Sequence, residues 1–583
     1  MNTVYELLDD YRAGRRRPRD VLQSVYEGIH ARKAAPVWIS LFPFEEALSA
    51  LEAAERASER GPLFGVPFGV KDNIDVAGLP TTAACPAFSY RPERSAFVVE
   101  RLIAAGAIPI GKTNLDQFAT GLVGTRTPYG ICSSVFDERY ISGGSSSGSA
   151  VAVARGDVPF ALGTDTAGSG RIPAGFNALV GVKPTVGLLS SRGVVPACRS
   201  LDCVSIFAKD VRDAALLLET CSSFDPDDAM SRPRPARTPA TRLADSVRIG
   251  IPTPESLEFF GDSESARLFQ SATERMQGHA QLVPVDLAPL REAANLLYFG
   301  PWVAERLVAT EQLLNDDPGA IEPTVRGILE GARKYSALDA FRGRYRLANL
   351  ERHARGLWQQ MDALLVPTAP THYRIEEVLA DPLRLNTNLG TYTNFVNLLD
   401  MCGLAIPAGF RENGLPFGVT LLGPQFHDST LLELARRFEG QPPAQHTSPP
   451  AGHIWLAVAG AHLSGQPLNH ELVSRGARLV TRTRTAAEYR LFALATTPPK
   501  PGLVHAPGAG SAAAIEVEVW ELDERAFGSF VAAIPAPMTI GTTRLHDGGT
   551  VKGFSCEPHA LEGAREITSF GGWRSYLAEL SSS

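Results

Sequence analysis

The sequence predicts an α/β domain followed by a smaller, β-rich domain. Its 583 residues exceed the roughly 100–200 residues of one ordinary domain, so at least two domains are expected. Over the first part of the chain, apolar segments typical of buried strands alternate with segments of helical periodicity, which is the pattern of an α/β fold. We predict a first domain at 1–440, a Pro-rich linker at 441–453 and a second domain at 454–583.

The elements of the first domain follow from local patterns along the chain. Residues 3–60 are predicted to be helical, because apolar residues recur at helical spacing in VLQSVYEGI and EEALSALEAAERASER. A helix and then a short strand are expected at 96–114, and helices are expected to dominate 290–360. Buried strands are expected in GPLFGVPFGVKDNID, VRIGIP and MDALLVPTAP. The polar, Pro-rich residues 222–246 predict a surface excursion.

The second domain is predicted from strand-like runs that are separated by turns. These runs are HIWLAVAGAHLSG, ARLVTRTRTAAEYRLFALA, AAIEVEVWELDE and GTVKGFSCEP. The stretch FEGQPPAQHTSPPAG before them contains four prolines and no periodicity, which is typical of a linker.

Composition and charge exclude several classes of function. Hydrophobic residues make up 44% of the chain and charged residues 20%, which is a globular composition. A net charge of -7 gives no basic surface for nucleic acid. No apolar stretch reaches the roughly 18–20 residues of a membrane span, and the N-terminus lacks the apolar core of a secretory signal. Seven cysteines without C-x-x-C spacing are expected to be free thiols, so we expect a cytoplasmic protein.

The catalytic base is expected to be a lysine rather than a histidine. Of the twelve histidines only His30 precedes residue 279, and it lies in a polar helical segment. The chain has only eight lysines, and Lys71 is one of them, in the apolar segment GVPFGVKDN. A buried lysine can lose its proton, whereas an arginine cannot. A Ser-His-Asp triad with a later histidine remains open on these residues alone.

Two clusters of serine and glycine supply candidate nucleophiles, GGSSSGSA at 143–150 and GTDTAGSGRIPA at 163–174. The first cluster fits G-x-S-x-G with Ser146 as nucleophile, but that motif follows a buried strand, and the preceding FDERYIS is polar. A flexible linker is also disfavoured, because the cluster leads directly into an apolar segment. A serine activated by a lysine is therefore the favoured chemistry.

These segments resemble the amidase signature family, and the resemblance covers roughly residues 1–440. Ser145 follows Lys71 by 74 residues and Ser169 follows Ser145 by 24, which agrees with that family. The resemblance implies an α/β/α sandwich with a mixed central sheet. It also implies a Ser–cis-Ser–Lys triad, in which Ser169 is the nucleophile, Ser145 bridges after a cis peptide bond and Lys71 is the base.

The same resemblance implies that backbone N–H groups of four residues form an oxyanion hole, namely those of Thr166, Ala167, Gly168 and Ser169. Small residues let the backbone approach a substrate carbonyl, and fixed N–H dipoles stabilise the charge of a tetrahedral intermediate. We interpret Asp165 and Arg171, which flank the nucleophile, as an ion pair that shapes the loop.

The second domain resembles the C-terminal domain of the allophanate hydrolases, through LAVAGAHLSGQPLN and VKGFSCEP. That domain is similar to the γ-glutamyl cyclotransferase-like fold. The stretch LLYFGPWVAERL resembles a substrate-binding segment of the same family and implies that Tyr298 and Arg306 bind substrate. A guanidinium fork suits a carboxylate, and a phenol can donate one more bond. Taken alone, the two residues favour a structural interpretation, with Arg306 as a helix-surface cation and Tyr298 as a core aromatic residue.

The resemblance implies hydrolysis of allophanate (urea-1-carboxylate) to ammonia and carbon dioxide. The first domain would release ammonia and N-carboxycarbamate. The second would assist decarboxylation through His462, for which a structural histidine is the alternative. Glu518 and Glu557 are further candidates in this domain.

The resemblance also bears on cofactors and partners. No metal or cofactor is expected, since hydroxyls, an amine and backbone amides carry the chemistry. A homodimer and a functional coupling to urea carboxylase are implied. The alternative function is another amidase-signature amidohydrolase, such as the glutamine-hydrolysing chain of an amidotransferase or a broad aliphatic amidase. In that case the second domain would serve only assembly.

Overall fold

The computed structural model describes residues 3–32, 35–56, 60–235, 247–441, 449, 452–496, 500–546 and 548–582. These residues divide into two compact units, one before and one after residue 442. Most of the predicted linker at 441–453 lies outside the described residues, as does the second part of the predicted excursion at 222–246.

Eleven strands of the first unit form one mixed sheet. In chain order they are β1 (Trp38–Leu41), β2 (Pro67–Lys71), β3 (Ile108–Thr113), β4 (Phe160–Asp165), β5 (Val180–Lys183), β6 (Cys203–Ala208), β7 (Arg248–Pro252), β8 (Gln281–Val285), β9 (Ala363–Pro367), β10 (Met401–Phe410) and β11 (Pro416–Pro424). Their spatial order is β1-β3-β2-β4-β6-β5-β10-β11-β9-β7-β8. Strand β2 is parallel to β3 and β4, and β7 is parallel to β8 and β9. The other neighbours are antiparallel, so the predicted mixed sheet is confirmed.

Sixteen α-helices accompany this sheet in the described part of the first unit. They are α1 (Val4–Arg12), α2 (Pro18–Ala31), α3 (Phe44–Glu55), α4 (Phe97–Ala104), α5 (Ser147–Ala154), α6 (Arg171–Phe176), α7 (Val211–Cys221), α8 (Ser263–Gln277), α9 (Ala288–Tyr298), α10 (Glu311–Asp316), α11 (Pro323–Ala332), α12 (Ala337–Leu357), α13 (Ile375–Ala380), α14 (Arg384–Leu389), α15 (Phe395–Leu398) and α16 (Asp428–Phe438). A 3₁₀ segment, Pro301–Leu307, follows α9. Across the described ranges, no helix combines the length and the apolar character that crossing a membrane requires.

The central strands are buried on both faces, as their apolar composition predicts. Every residue of β2 and of β4 is buried. Phe68 stacks on Phe160 with ring centroids 5.1 Å apart, whereas the adjacent Ala161 belongs to a core cluster with residues of α2, α3 and α5. Since successive side chains of a strand point to opposite faces, helices must cover both sides of the sheet. This is the α/β/α layering that the resemblance implies.

The prediction of helices throughout residues 3–60 is wrong in one place. Trp38–Leu41 form β1, which pairs antiparallel with β3 so that Leu41 lies opposite Gly111. Four residues carry too little periodicity to be recognised, and the strand exists because a partner strand from much later in the chain pairs with it.

The second unit is β-rich, as predicted. Its eight described strands are β12 (His453–Val458), β13 (Arg478–Arg484), β14 (Tyr489–Leu494), β15 (Lys500–His505), β16 (Glu516–Asp523), β17 (Met538–Arg544), β18 (Thr550–Cys556) and β19 (Arg565–Glu566). They form a five-stranded sheet, β13-β16-β12-β18-β17, and a three-stranded sheet, β15-β14-β19. The described helices are α17 (Asn469–Val473), α18 (Glu524–Ala532) and α19 (Trp573–Ser582). The similarity to the γ-glutamyl cyclotransferase-like fold stays a prediction.

Candidate active site

Lys71 ends strand β2 and directs its amine at two hydroxyl groups. Its Nζ lies 2.7 Å from Ser145 Oγ and 2.7 Å from Thr164 Oγ1. The parallel pairing of β2 with β4 places Val70 opposite Leu162, so the C-terminal ends of both strands meet here. The Lys71 side chain is completely buried. The lysine and the first serine of the predicted triad are therefore in direct contact.

Burial lowers the pKa of Lys71 from its usual 10.5 to about 7. The carboxylates of Asp116, Asp165 and Asp202 act in the opposite direction, but their attraction only partly offsets the loss of hydration. A substantial share of this amine is therefore uncharged at neutral pH, and the uncharged form is the one that can accept a proton.

Ser145 is held in place by the segment around Asp116. The Gly144–Ser145 peptide bond is cis, and the backbone N–H of Asp116 donates to the carbonyl of Ser145 over 3.0 Å. A Cβ on Gly144 would lie 2.2 Å from Asp116 Oδ2, so only glycine fits there. The Asp116 carboxylate also accepts the N–H groups of Gly124 and Arg126, each over 2.9 Å. Sequence reasoning missed Asp116, because it lies in an ordinary segment outside the Ser/Gly motifs.

Ser146, the alternative nucleophile, is engaged elsewhere. Its hydroxyl donates to the carbonyl of Thr164 over 3.1 Å, and the residue lies at the start of α5. The preceding FDERYIS contains no strand of the sheet. The strand-turn-helix geometry that a G-x-S-x-G nucleophile needs is thus missing from this described segment.

Ser169 lies in the short loop between β4 and α6 and is 2% exposed. Its hydroxyl donates to the carbonyl of Gly121 over 3.3 Å. Although both serines are described, the structure contains no hydrogen bond from one to the other. Catalytic hydrogen bonds are often long or poorly aligned before substrate binds. The second link of the predicted relay, from Ser169 to Ser145, therefore stays a prediction.

The loop that carries Ser169 is built around an ion pair between Asp165 and Arg171, as the sequence predicts. Two contacts of 2.9 Å join the guanidinium to the carboxylate, and both side chains are completely buried. Burial by itself would raise the pKa of Asp165, but the adjacent Arg171 outweighs it and the pKa is lowered. The same carboxylate accepts the N–H groups of Gly168 and Gly170 over 2.9 and 3.0 Å. The ion pair thus fixes the backbone on both sides of Ser169.

The contact with Asp165 distinguishes Gly168 from the other three candidate oxyanion donors. The N–H of Gly168 already donates to Asp165, so it is not free for a substrate. Within the described residues, the backbone N–H groups of Thr166, Ala167 and Ser169 have no acceptor. The implication that Gly168 supplies an oxyanion donor does not fit this geometry, because the ion-paired carboxylate occupies its N–H. The other three remain candidates.

Asp202 anchors the other end of this loop and was missed by sequence reasoning. Its Oδ1 accepts the hydroxyl of Thr166 and the N–H of Cys198, and its Oδ2 accepts the N–H of Ala197 over 2.9 Å. Burial raises the pKa of Asp202 to about 6, although the Thr166 hydroxyl and the two N–H groups act against the rise. No local motif marks Asp202, since its partners come from a separate loop.

Arg306 is a buried cation without a carboxylate partner among the described residues. It lies in the 3₁₀ segment and is 2% exposed. Its Nη1 donates to Thr120 Oγ1 over 3.0 Å and its Nη2 to the Tyr298 hydroxyl over 3.2 Å, while its Nε has no partner. Burying a charge without a counter-ion is costly, and an anionic ligand would offset that cost. The helix-surface interpretation of Arg306 is therefore wrong, and half-buried Tyr298 is its direct neighbour.

Thr120 connects this cation with the nucleophile loop. The Thr120 hydroxyl accepts from Arg306, and the carbonyl of the next residue, Gly121, accepts from Ser169. A single peptide segment therefore contacts both the candidate nucleophile and the unpaired guanidinium. A small molecule with an amide at one end and an anionic group at the other matches this pair of contacts.

Both units of the structure are covered by a family model. Residues 20–432 match the model of the Amidase family. The chain belongs to the amidase family. This amidase also matches, over residues 454–578, the model of the allophanate hydrolase C-terminal domain.

Similar proteins extend over both units. A solved structure of Kluyveromyces lactis allophanate hydrolase is 41% identical to this amidase, with a TM-score of 0.79 and 99% of each chain covered. The urea amidolyase of Saccharomyces cerevisiae is 44% identical over 592 aligned positions, which cover 96% of this amidase but 32% of the relative. The chain therefore spans about a third of the length of the curated relatives it matches first. One component of the glutamyl-tRNA(Gln) amidotransferase of Chloroflexus aggregans is 36% identical, and the alignment covers 68% of this amidase and 87% of the relative.

His462, in the second unit, is confined between aromatic rings. It stacks on Phe554 and meets Phe530 edge-on, with centroids 5.2 Å apart in both cases. Its Nε2 lies 3.0 Å from Glu471 Oε2. Burial lowers the pKa of His462, although Glu471 acts against the shift. Sequence reasoning missed Glu471, which belongs to α17 and lies too far along the chain from His462 to form a recognisable motif.

The two other acidic candidates of the second unit differ in their surroundings. Glu518 is completely buried and accepts the N–H of Ser464 over 2.7 Å and a guanidinium nitrogen of Arg574 over 2.8 Å. Glu557 is exposed and pairs with His559. Glu518 therefore fixes the loop that carries His462.

In the described ranges, no group of three or more His, Cys, Asp or Glu residues is placed to hold a metal ion.

Proposed function

We propose that this amidase hydrolyses allophanate to ammonia and carbon dioxide. The observation that carries the proposal is the buried guanidinium of Arg306, which has no carboxylate partner in the described ranges. Arg306 and Ser169 both bind the segment Thr120–Gly121, Arg306 through the Thr120 hydroxyl and Ser169 through the Gly121 carbonyl. Allophanate is a small planar anion, and its carboxylate would supply the missing counter-ion. The similarity of the whole chain to the K. lactis allophanate hydrolase supports the same substrate.

The first step is attack of Ser169 on the terminal amide carbonyl, with the substrate carboxylate held by Arg306 and Tyr298. Ser145 takes the proton of Ser169 and passes its own to Lys71, because a hydroxyl both donates and accepts. Lys71 can receive that proton, since burial lowers its pKa to about 7. The free N–H groups at residues 166, 167 and 169 stabilise the oxyanion.

Collapse of the tetrahedral intermediate breaks the C–N bond. The proton on Lys71 returns through Ser145 to the leaving nitrogen, which departs as ammonia. Water then attacks the acyl-enzyme ester as Lys71 takes up the proton of the water through Ser145, and that proton returns to Ser169 Oγ when the ester bond breaks. Each allophanate thus consumes one water and yields one ammonia and one N-carboxycarbamate.

The second unit then assists loss of carbon dioxide from N-carboxycarbamate. His462 would hold a carboxylate of this product and deliver a proton to the nitrogen as the C–N bond breaks. Glu471, 3.0 Å from the imidazole, orients the ring. The resulting carbamate breaks down to ammonia and carbon dioxide.

Assembly, metabolic context and compartment belong to the same proposal. We propose a homodimer that acts after a urea carboxylase, which would form allophanate. The roughly threefold greater length of the urea amidolyase relatives supports a link with a further activity. We also propose a cytoplasmic location, because all seven cysteines are free in the structure.

The test follows ammonia and carbon dioxide together during turnover of allophanate by the purified chain. We expect rapid release of both from the full chain, and ammonia with delayed carbon dioxide from a chain truncated near residue 445. If truncation does not change the product ratios, the second unit has no catalytic role and serves only assembly. Faster turnover of glutamine or simple aliphatic amides than of allophanate would favour the amidotransferase or broad amidase alternative.

A further inference from the structure

The guanidinium of Arg126 is buried and, like that of Arg306, has no carboxylate partner among the described residues. Arg126 is 2% exposed. Its Nη1 donates to the carbonyl of Thr120 over 2.9 Å and its Nη2 to the carbonyl of Pro382 over 2.7 Å, whereas its Nε has no partner. A buried charge that meets only backbone carbonyls is costly to the fold. Thr120, which accepts one of these bonds, is also the residue whose hydroxyl accepts from Arg306.

The backbone immediately before Thr120 is strained. Phe118 and Ala119 have φ angles of 51 and 52°, in the left-handed region that residues with a Cβ rarely adopt. Strained backbone of this kind persists only where its surroundings hold it, and it is concentrated at functional sites. The Thr120 hydroxyl donates to the carbonyl of Phe118 over 3.1 Å, so its oxygen is left to accept from Arg306. We call residues 116–126 the Thr120 turn.

Arg126 closes the Thr120 turn through three hydrogen bonds to earlier residues. Its backbone N–H donates to Asp116 Oδ1 over 2.9 Å, and its backbone carbonyl accepts the N–H of Gln117 over 2.7 Å. The third bond is the one from its guanidinium to the carbonyl of Thr120. The bond to Pro382 ties the closed turn to the residues before α14. One side chain thus holds the strained backbone in its path.

The Thr120 turn contacts both the cation and the nucleophile of the candidate active site. The Thr120 hydroxyl accepts from Arg306 over 3.0 Å. The carbonyl of Gly121 accepts from Ser169 over 3.3 Å. We propose that Arg126 is a positioning residue for the amidase reaction, which holds the turn so that Arg306 and Ser169 keep their relative orientation. An arginine suits this task, because its planar fork donates in two directions at once and keeps its charge when buried.

The two contacts of the turn predict two separate kinetic effects. Displacement of Thr120 loosens Arg306, so KM for allophanate should rise. Displacement of the Gly121 carbonyl misorients the Ser169 hydroxyl, so kcat should fall. A residue that only stabilised the fold would lower the melting temperature and leave KM unchanged. The effect on KM rests on the proposed function, whereas the effect on the reactivity of Ser169 does not.

The experiment compares the wild type with Arg126→Met, which removes the fork but keeps an unbranched side chain. We expect KM for allophanate to rise and kcat to fall, each by about tenfold or more, since small displacements of reacting groups are costly. A fluorophosphonate, which phosphonylates an activated serine and releases fluoride, measures Ser169 without allophanate. Its reaction should slow by a similar factor. Arg275→Met is the matched control and should keep the wild-type constants, because Arg275 donates to the carbonyl of Ala408 over 3.3 Å outside the site.

A double-mutant cycle tests the route from Arg126 to Arg306. Thr120→Val removes the hydroxyl that meets Arg306 but keeps the carbonyl that meets Arg126. Arg126→Met should therefore raise KM much less in the Thr120→Val background than in the wild type, while its effect on kcat persists. Equal factors on KM in the two backgrounds would overturn the role of Arg126 in holding Arg306.

Circular dichroism and the melting temperature of each variant separate folding from positioning. Arg126→Lys keeps the cation and covers the case in which Arg126→Met does not fold. It should have a lower kcat and slower labelling than the wild type, because an ammonium lacks the planar fork. Wild-type kinetics and labelling in Arg126→Met, or in Arg126→Lys if Arg126→Met does not fold, would overturn the proposal. A wild type that reacts with the fluorophosphonate but does not hydrolyse allophanate would overturn the proposed function, and slower labelling of the variant would still support the positioning role.

Discussion

Arg306 contacts Tyr298 in two ways, through a guanidinium carbon 5.1 Å from the ring centroid and through a hydrogen bond of 3.2 Å to the hydroxyl. Together with the bond to Thr120, these contacts fix the plane of the guanidinium. Nε is left without a partner in the described part of the chain. The cation is thus oriented before an anion arrives, which reduces the entropy lost on binding.

Arg306→Ala should raise KM for allophanate by about 10–100-fold, since a charge-assisted hydrogen bond contributes about 1.5–3 kcal/mol. Uncharged amides should be affected far less, because they offer no counter-ion. Steady-state kinetics with both substrate types measures the difference. Arg306→Lys is the control for charge without the planar fork and should be intermediate. Equal losses with charged and uncharged substrates would make Arg306 a structural residue.

The pH profile of kcat/KM should fall below about pH 7, because Lys71 must be uncharged and burial sets its pKa near 7. The loss should approach about tenfold per pH unit. The unfolded chain, with a lysine pKa near 10.5, binds more protons than the folded chain between the two values. The contribution of Lys71 to the free energy of unfolding therefore rises with pH from about 7 to about 10.5. A profile flat from pH 5 to 7 would exclude Lys71 as the base.

Ser169→Ala should abolish ammonia release, because Ser169 is the hydroxyl on the loop that carries the free backbone N–H groups. Ser146→Ala is the matched control and should retain most of the activity, since its hydroxyl serves only hydrogen bonds to the backbone of Thr164. An ammonia assay and circular dichroism of both variants make the comparison. The reverse result, with activity lost only in Ser146→Ala, would restore the G-x-S-x-G interpretation.

Thr166→Val should lower kcat by about tenfold or more with little change in KM. The variant keeps the volume but loses the bond to Asp202, which holds the loop with the candidate oxyanion donors. Thr166→Ser keeps the hydroxyl and should recover most of kcat. If KM rises and kcat holds in Thr166→Val, the Asp202 contact orients substrate rather than the loop.

His462→Asn should leave the first ammonia release intact and delay carbon dioxide. The stacked imidazole, 3.0 Å from Glu471, is the group proposed to protonate the second intermediate. Carbon-13 NMR of labelled allophanate would detect N-carboxycarbamate as it accumulates. His470→Asn, at an exposed position, serves as control. If His462→Asn releases ammonia and carbon dioxide with the same time course as the wild type, His462 is a structural residue.

The sequence identifies the site where motifs are local and fails where contacts are distant. The resemblance to the amidase signature family implies that Lys71 and Ser145 act as a pair, and the structure joins them at 2.7 Å. Asp116 and Asp202 carry equally specific contacts, yet neither belongs to a motif, since each accepts bonds from loops remote from the Ser/Gly clusters. For Gly168 the motif itself misleads. Its position beside the nucleophile implies an oxyanion donor, but its N–H donates to Asp165.

The elements of the fold show the same difference between local patterns, which the sequence reveals, and distant contacts, which it does not. Helical periodicity and apolar runs predict most elements, because burial of one face or of both faces requires apolar residues at a regular spacing. Strand β1 shows no such spacing, since its existence depends on pairing with β3.

The pairing of β5 with β10 has a consequence for biosynthesis. Lys183 of β5 lies opposite Gly403 of β10, and β5 is the middle strand of the eleven-stranded sheet. At about 5–20 residues per second, a ribosome needs on the order of 10–40 s to deliver the second strand after the first. During that interval β5 has an unpaired edge beside a nascent apolar core, which is the state that chaperones bind. Expression yield should therefore depend on chaperone supply and translation speed more than on the stability of the finished enzyme.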